Sequence, residues 1–330
     1  MKHLRNSILS LLGSTLAILF CIACSSEKKT SVSSQPSFHD TLIIGLLPTL
    51  DCLPFYVARE EGIFDSMRLQ VRFVFAHSQM DIDEYLAKGY VEIGATDILR
   101  TIGMQYKKRS IRYLASSSRE WEVYACRKYR ISQPWQLGDR MLGSTRHSVP
   151  DFISDTLSQL VNQKKRQLLR PQINDVFLRM RMLDDGQLEA AILPVPLTLA
   201  MQAKKHTPIY NSSCTKGLAG FAVSTRQTSL THIRQVIHAY NIAVNSLKKH
   251  PNRPLPQRFL RYLRTDSLPV SLLTDKHLSH LYIPDDHTIR QAHTWALRQK
   301  VAGNSYTTDT LLYSKTLENF YPSKDRLLSL

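Results

Sequence analysis

The sequence predicts an α/β chain of two lobes separated by a cleft. Three observations carry this reading. From Thr41 onward, short apolar runs alternate with amphipathic stretches. The alternation is built up twice along the chain. Two strand-like passages, near 118–127 and 216–225, separate the units, as happens when a chain leaves one lobe, builds another and returns. The 330 residues are 43% apolar and 21% charged, which excludes a disordered chain and a multi-span membrane protein. Five cysteines are too sparse for a disulfide scaffold.

In the first unit, TLIIGLL (41–47) is a buried strand by its continuous apolar character, and PTLD (48–51) is a turn. LPFYVAREEGIF (53–64) reads as a helix ended by Gly62. LQVRFVF (69–75) alternates as a strand, MDIDEYLAKG (80–89) is a helix closed by Gly89, and VEIGA (91–95) is a strand. DILRTIGMQYKK (97–108) and IRYLASS (111–117) complete a helix and a fourth strand, so a mostly parallel sheet covered by helices is expected. The second unit runs through a strand at 122–127 and a short helix leading to a strand at 133–144. A helix follows at 150–163, with Pro150 in its first turn. DVFL (175–178) is expected to be a short strand, with a helix at 179–187, a strand at 188–194, a helix at 195–205 and an edge strand at 207–213. LAGFAVST (218–225) is strand-like, and 229–264 and 286–321 are mainly helical.

Residues 1–24, MKHLRNSILSLLGSTLAILFCIAC, begin with Lys2 and Arg5, continue as an apolar run short for a spanning helix, and end in small residues before Cys24. Cys21-Ile22-Ala23-Cys24 resembles a bacterial lipobox, with Cys21 where that pattern usually has Leu. Residues 1–23 are therefore expected to be a lipoprotein signal peptide and Cys24 the lipidated (palmitate-bearing) first residue; an uncleaved signal anchor is the competing reading. The Ser-rich stretch at 24–40 is expected to be a flexible tether. The expected lobes are 41–118 with 222–330, and 119–221.

The formal charge is +16, from 43 Lys+Arg against 27 Asp+Glu. It favours approach of an anionic ligand or anionic lipid, or is simply a basic surface. An exported chain is not expected to meet nucleic acid. The mature chain keeps Cys52, Cys126 and Cys214 besides Cys24, enough for one intrachain pair and without metal-site spacing. His277, His280, His287 and His293 lie near Asp285 and Asp286, but no third ligand in fixed geometry is implied, so no metal or cofactor is expected. No phosphate loop, nucleophile elbow or HExxH is present.

Three motifs carry a family resemblance. Glu60 to Phe64 reads E-x-G-x-F, residues 86–94 read L-x-x-G-x-x-E-x-G, and 183–196 read LDDGQLEAAILPVP. With LPTLDCLPFYVAREEGIF and LGDRMLGSTRHSVPDF, they resemble periplasmic substrate-binding proteins of ABC importers. The nearest branch includes the taurine, alkanesulfonate, nitrate and thiamine-precursor binders. The resemblance covers roughly 41–225. It implies a type II periplasmic-binding fold, two α/β lobes joined by two crossing strands. It further implies a non-catalytic, monomeric, lipid-anchored protein in the periplasm or at the cell surface. Such a protein captures a small polar or anionic solute and delivers it to a permease and its ATPase. The alternatives are an enzyme on the same fold, related to pyrimidine (thiamine-precursor) synthesis, and a surface lipoprotein that binds a protein partner. The related enzyme has a Cys-rich motif that is missing here.

Candidate site residues follow the expected strands. Thr49 and Asp51 follow the first, with Asp51 either a helix cap or a partner for a ligand amine. Thr96 and Asp97 follow the third, as cap or ligand contact. Ser117 and Trp121 enter the hinge, where Trp121 either stacks on a planar ligand or packs at the junction. Ser144, Arg146 and Ser148 lie in the loop before the 150–163 helix, whose free N–H groups favour an anion. Pro194 and Val195 follow the second-lobe strand, and Val195 stands where many relatives have Glu.

Overall fold

The computed structural model describes residues 41–211, 215–226, 228–274, 277–303 and 308–313. The expected signal peptide, Cys24, the tether and Cys214 lie outside them. Two sheets form the cores of the two lobes.

The first sheet contains β1 (Thr41–Leu46), β2 (Gln70–Phe75), β3 (Ile93–Asp97), β4 (Ile111–Ser116) and β9 (Ala219–Ser224), in the order β2-β1-β3-β9-β4. β1 pairs parallel with both β2 and β3. Parallel neighbours need crossover connections. These are α1 (Leu53–Glu60) with α2 (Ile63–Ser66), then α3 (Gln79–Lys88), then α4 (Ile98–Tyr106). Gly62 and Gly89 both adopt the left-handed conformation beside helix ends. β9 runs antiparallel between β3 and β4, so the expected mostly parallel sheet has one reversed strand inserted in it. Gly220 makes that insertion possible. A Cβ there would sit 1.9 Å from the Ala115 carbonyl oxygen and 2.8 Å from Ser116 Cα.

The chain crosses between lobes at 117–120 and again before β9. The second sheet holds β5 (Trp121–Ala125), β6 (Leu142–Gly143), β7 (Ala190–Pro194) and β8 (Thr207–Asn211), ordered β6-β7-β5-β8. β6 and β7 are parallel and β5 is reversed between β7 and β8. Helices α5 (Val149–Asn162), α6 (Val176–Asp184) and α7 (Thr198–Ala203) connect them. Residues 175–178, expected as a strand, instead form the cap and first turn of α6. Asp175 accepts from the Phe177 and Leu178 N–H groups and starts the helix.

The C-terminal helices return to lobe 1. α8 (Leu230–Lys249) packs on α1 through a cluster in which Phe55 meets Phe221 at 5.2 Å and Tyr240 at 5.0 Å. Tyr240 also donates to the Asp51 carbonyl at 3.0 Å. From α9 (Gln257–Leu263), the Tyr262 hydroxyl donates to the Ala76 carbonyl at 2.6 Å and lies 3.0 Å from the Leu46 carbonyl, tying the ends of β1 and β2. α10 (Asp286–Arg298) reaches across to lobe 2, where Trp295 Nε1 donates to Asp155 on α5 at 2.7 Å. α11 (Thr308–Leu311) closes the described chain. Among the described residues, no helix is long and apolar enough to cross a membrane. Cys52 and Cys126 are buried free thiols.

Candidate functional site: the cleft between the lobes

In sheets of this topology, loops at the carboxyl ends of strands converge and leave a crevice. Here the loops after β1, β2 and β7 and the starts of β5, α5 and α6 surround a cavity of about 40 Å³. A larger hollow of about 580 Å³ lies on lobe 1 around α4, the start of β4 and Thr310. Its charged lining, Lys108, Arg109 and Arg112, is exposed or half-buried. Buried charged and polar groups converge only on the smaller cavity of these two, which makes it the candidate site.

The wall contributed by lobe 1 and the crossing segment is internally neutralised. Arg119 is buried and grips Asp51, with Nη2 2.9 Å from Oδ2 and Nε 3.1 Å from Oδ1. Its remaining donations go to the Thr96 carbonyl at 3.1 Å and the Gly220 carbonyl at 3.3 Å. Ser117 adds a 2.6 Å hydrogen bond to Asp51 Oδ2. Burial opposes the Arg119 charge, but Asp51 outweighs it and raises the Arg119 pKa above its ordinary value. The same burial, reinforced by Asp51, pushes the neighbouring Cys52 thiol up to about 12, so it stays protonated. Thr49 packs against Cys52, its Oγ1 3.4 Å from the thiol, and lines the cavity.

Asp97 bridges the lobes. One carboxylate oxygen caps α4 by accepting from Arg100 N at 2.8 Å. The other accepts from Gln79 Nε2 at 2.7 Å and from Val149 N, the first residue of α5, at 3.1 Å. Burial raises the Asp97 pKa, and these hydrogen bonds and Arg100 offset part of that rise. The N-terminus of α5 is thus met by the protein's own carboxylate. Thr96 donates to Asp83 at 2.6 Å, and Arg100 is ion-paired with Asp83 while donating across the cleft to the Arg146 carbonyl at 3.0 Å. Two further backbone bonds join the lobes, Leu50 N to the Val195 carbonyl at 3.3 Å and Val176 N to the His77 carbonyl at 3.1 Å.

On the lobe 2 side, Ser148 donates to the Thr145 carbonyl at 2.6 Å, while the buried Ser144 hydroxyl has no partner. Arg146 is part-exposed, 3.7 Å from Asp151, and is not among the residues lining the cavity. Trp121 and Pro194 both line it, and Trp121 is buried. Val195 is buried beside them, joined to Pro196 by a cis peptide.

Arg179 was not singled out by sequence reasoning. It is 4% exposed, lines the cavity, and donates from Nη1 to Thr145 Oγ1 at 3.3 Å. Its Nε is buried with no partner, and among the described residues no carboxylate lies within ion-pair distance. Burial pulls its pKa down to about 10, partly offset by Asp175, so it remains charged at neutral pH. Gly143 leaves room for its stem, since a Cβ there would lie 3.3 Å from Arg179 Cγ. The available signal was its spacing: Val176, Arg179 and Leu183 share one buried stripe of α6. Reading 175–178 as a strand hid that stripe.

The histidines near Asp285 diverge. His277 pairs with Glu120 at 3.0 Å, His280 with Asn245 at 2.6 Å, and Asp285 caps α10 through Thr288 N at 2.7 Å. Among the described residues, no group of three or more His, Cys, Asp or Glu converges as a metal site.

No family model matches this sequence, and no curated protein matches it in sequence. Solved structures do match in fold. The alkanesulfonate-binding protein SsuA from Xanthomonas axonopodis pv. citri, bound to MOPS, is similar over 83% of this chain and 98% of its own, with 13% identity and a TM-score of 0.66. The periplasmic nitrate-binding protein NrtA from Synechocystis PCC 6803 is similar over 88% and 91%, with 10% identity and a TM-score of 0.70. A conserved Candida albicans gene product with the generic periplasmic binding protein fold is similar over 82% and 93%, with 15% identity and a TM-score of 0.60. The chain therefore has the periplasmic binding protein fold, two α/β lobes joined by two crossing segments, as the sequence motifs implied.

Proposed function

We propose that this protein is a non-catalytic solute-binding lipoprotein of an ABC importer. It captures a small polar or anionic solute between its lobes and delivers it to a permease. The observation that carries this reading is the cleft itself: two lobes meet through direct hydrogen bonds and still enclose a cavity lined by buried polar groups. The sulfonate- and nitrate-binding proteins of the same fold support it, as does the lipobox-like CIAC at 21–24. Closure of such a cleft follows the ligand's differential affinity for the closed and open forms. Native mass spectrometry of protein purified from its own host is expected to find a retained small solute. Small-angle scattering should then show a smaller radius of gyration with that solute than after its removal. Chemical conversion of the solute at a catalytic rate would overturn the reading. Anchoring is tested separately: Cys24→Ser should abolish incorporation of labelled fatty acid.

A further inference from the structure

We propose that Arg179 is the charge receptor of the cleft, and that the solute presents it with a single monoanionic oxygen headgroup such as a carboxylate, sulfonate or nitrate. This rests on the solute-binding reading and names its ligand class.

The positive groups around the cavity are already partnered, with one exception. Arg119 has Asp51 and two carbonyls as partners. The α5 N-terminus has the Asp97 carboxylate on Val149 N. His77 lines the cavity but sits 3.4 Å from Asp175, and Arg146 lies beside Asp151 away from the lining. That leaves Arg179, buried, facing the cavity, with a partnerless Nε and one long hydrogen bond to a neutral hydroxyl. A guanidinium held out of water with no carboxylate at ion-pair distance is costly, and an anionic ligand lowers that cost on binding. A planar or tetrahedral oxygen group can accept from two guanidinium nitrogens at once.

The charge of the ligand follows from the same partners. One cation without an ion-pair partner matches one negative charge, because the other positive groups lining the cavity, Arg119 and His77, already have carboxylate partners. The cavity of about 40 Å³ is small, so it takes a headgroup rather than a bulky body. Beside Arg179, Thr145 and Asn174 offer neutral polar contacts, and Trp121, Val176 and Pro194 offer an apolar surface for a short tail.

The test is isothermal titration of the full-length protein, dialysed free of solute, with acetate, nitrate, ethanesulfonate and sulfate. Wild type, Arg179→Met, Arg179→Lys and Arg146→Ala are compared. At least one monoanion should bind the wild type more tightly than sulfate does. Arg179→Met should weaken it about ten- to a hundredfold, Arg179→Lys should recover part of the loss, and Arg146→Ala should leave it unchanged. Thermal melting without ligand separates binding from folding: a charge receptor predicts no fall in Tm for Arg179→Met. If Arg179→Met does not fold, Arg179→Lys against wild type carries the comparison through its loss of affinity. Equal affinity in the Arg179 variants, preference for sulfate, or no binding of any of the four anions overturns the proposal. A neutral or cationic solute retained from the host would overturn it while leaving the solute-binding reading intact; turnover of a solute would overturn that reading instead.

Discussion

In lobe 1 the strand arriving from the neighbour, β9, runs reversed between β3 and β4; in lobe 2 the arriving strand, β5, runs reversed between β7 and β8. β1 and β3 correspond in this plan to β6 and β7, and residues 169–172 lie along β6 as β2 lies along β1. With the strand plan shared, the difference lies in the buried charges. On the lobe 1 side the buried Arg119 has Asp51, and the partly buried Arg100 has Asp83. On the lobe 2 side Arg179 has none within ion-pair distance among the described residues, only Thr145. One wall is a self-satisfied frame, and the other carries a charge whose partner must come from outside. The same strand topology therefore does not dictate where ligand chemistry sits.

The largest test of that contrast breaks the frame. Asp51→Ala strands the Arg119 guanidinium in a dry site and should cost about 3–5 kcal/mol in urea unfolding. A loss below about 1 kcal/mol would mean water or other groups already satisfy Arg119. Next in size is Gly220→Ala, which forces a methyl group against the Ala115 carbonyl of β4. It should cost about 1–3 kcal/mol, and more if β9 cannot shift. Asp155→Ala removes the acceptor shared by Trp295 and Gln299, each at 2.7 Å, and an ion pair with Arg170. Because these groups join α10 to α5, about 1–3 kcal/mol should be lost, with a faster opening of the interlobe amides to hydrogen exchange.

The smallest expected effect is a pH slope. Burial raises the folded-state pKa of Asp97 above its unfolded value. Between those two values the folded protein binds the extra proton, so this group's contribution to stability falls as pH rises through that window. Below the unfolded pKa the penalty is absent, and above the folded pKa it is complete. Asp97→Asn should therefore flatten the wild-type dependence across that window. A variant with the same slope as wild type would show that Asp97 does not titrate in this range.

Much of the framework could be read from local pattern. The apolar runs of β1, β3 and β7 and the Gly62 and Gly89 helix ends have short-range causes, and they appear where the sequence placed them within a few residues. Insertion of β9 between β3 and β4 could not be read locally, because strand pairing across more than a hundred residues leaves no periodicity. The Asp51–Arg119 pair, 68 residues apart, was hidden for the same reason. Four residues, DVFL, are too few to distinguish a β-rich run from the opening of a capped helix, and that one ambiguity concealed Arg179. The hydroxyl-rich loop at 143–152 is legible in the sequence. Its helix end, however, meets Asp97 from the other lobe, a contact that only the folded chain reveals.

The most direct measurement compares Arg119→Met with Arg179→Met by urea unfolding of ligand-free protein. Removing Arg119 leaves Asp51 buried and unpaired, so about 3–5 kcal/mol should be lost. Removing Arg179 leaves no carboxylate behind, so stability should change by less than about 1 kcal/mol or rise. Similar large losses in both variants would contradict the account, because Arg179 would then be part of the frame rather than a charge held for a ligand.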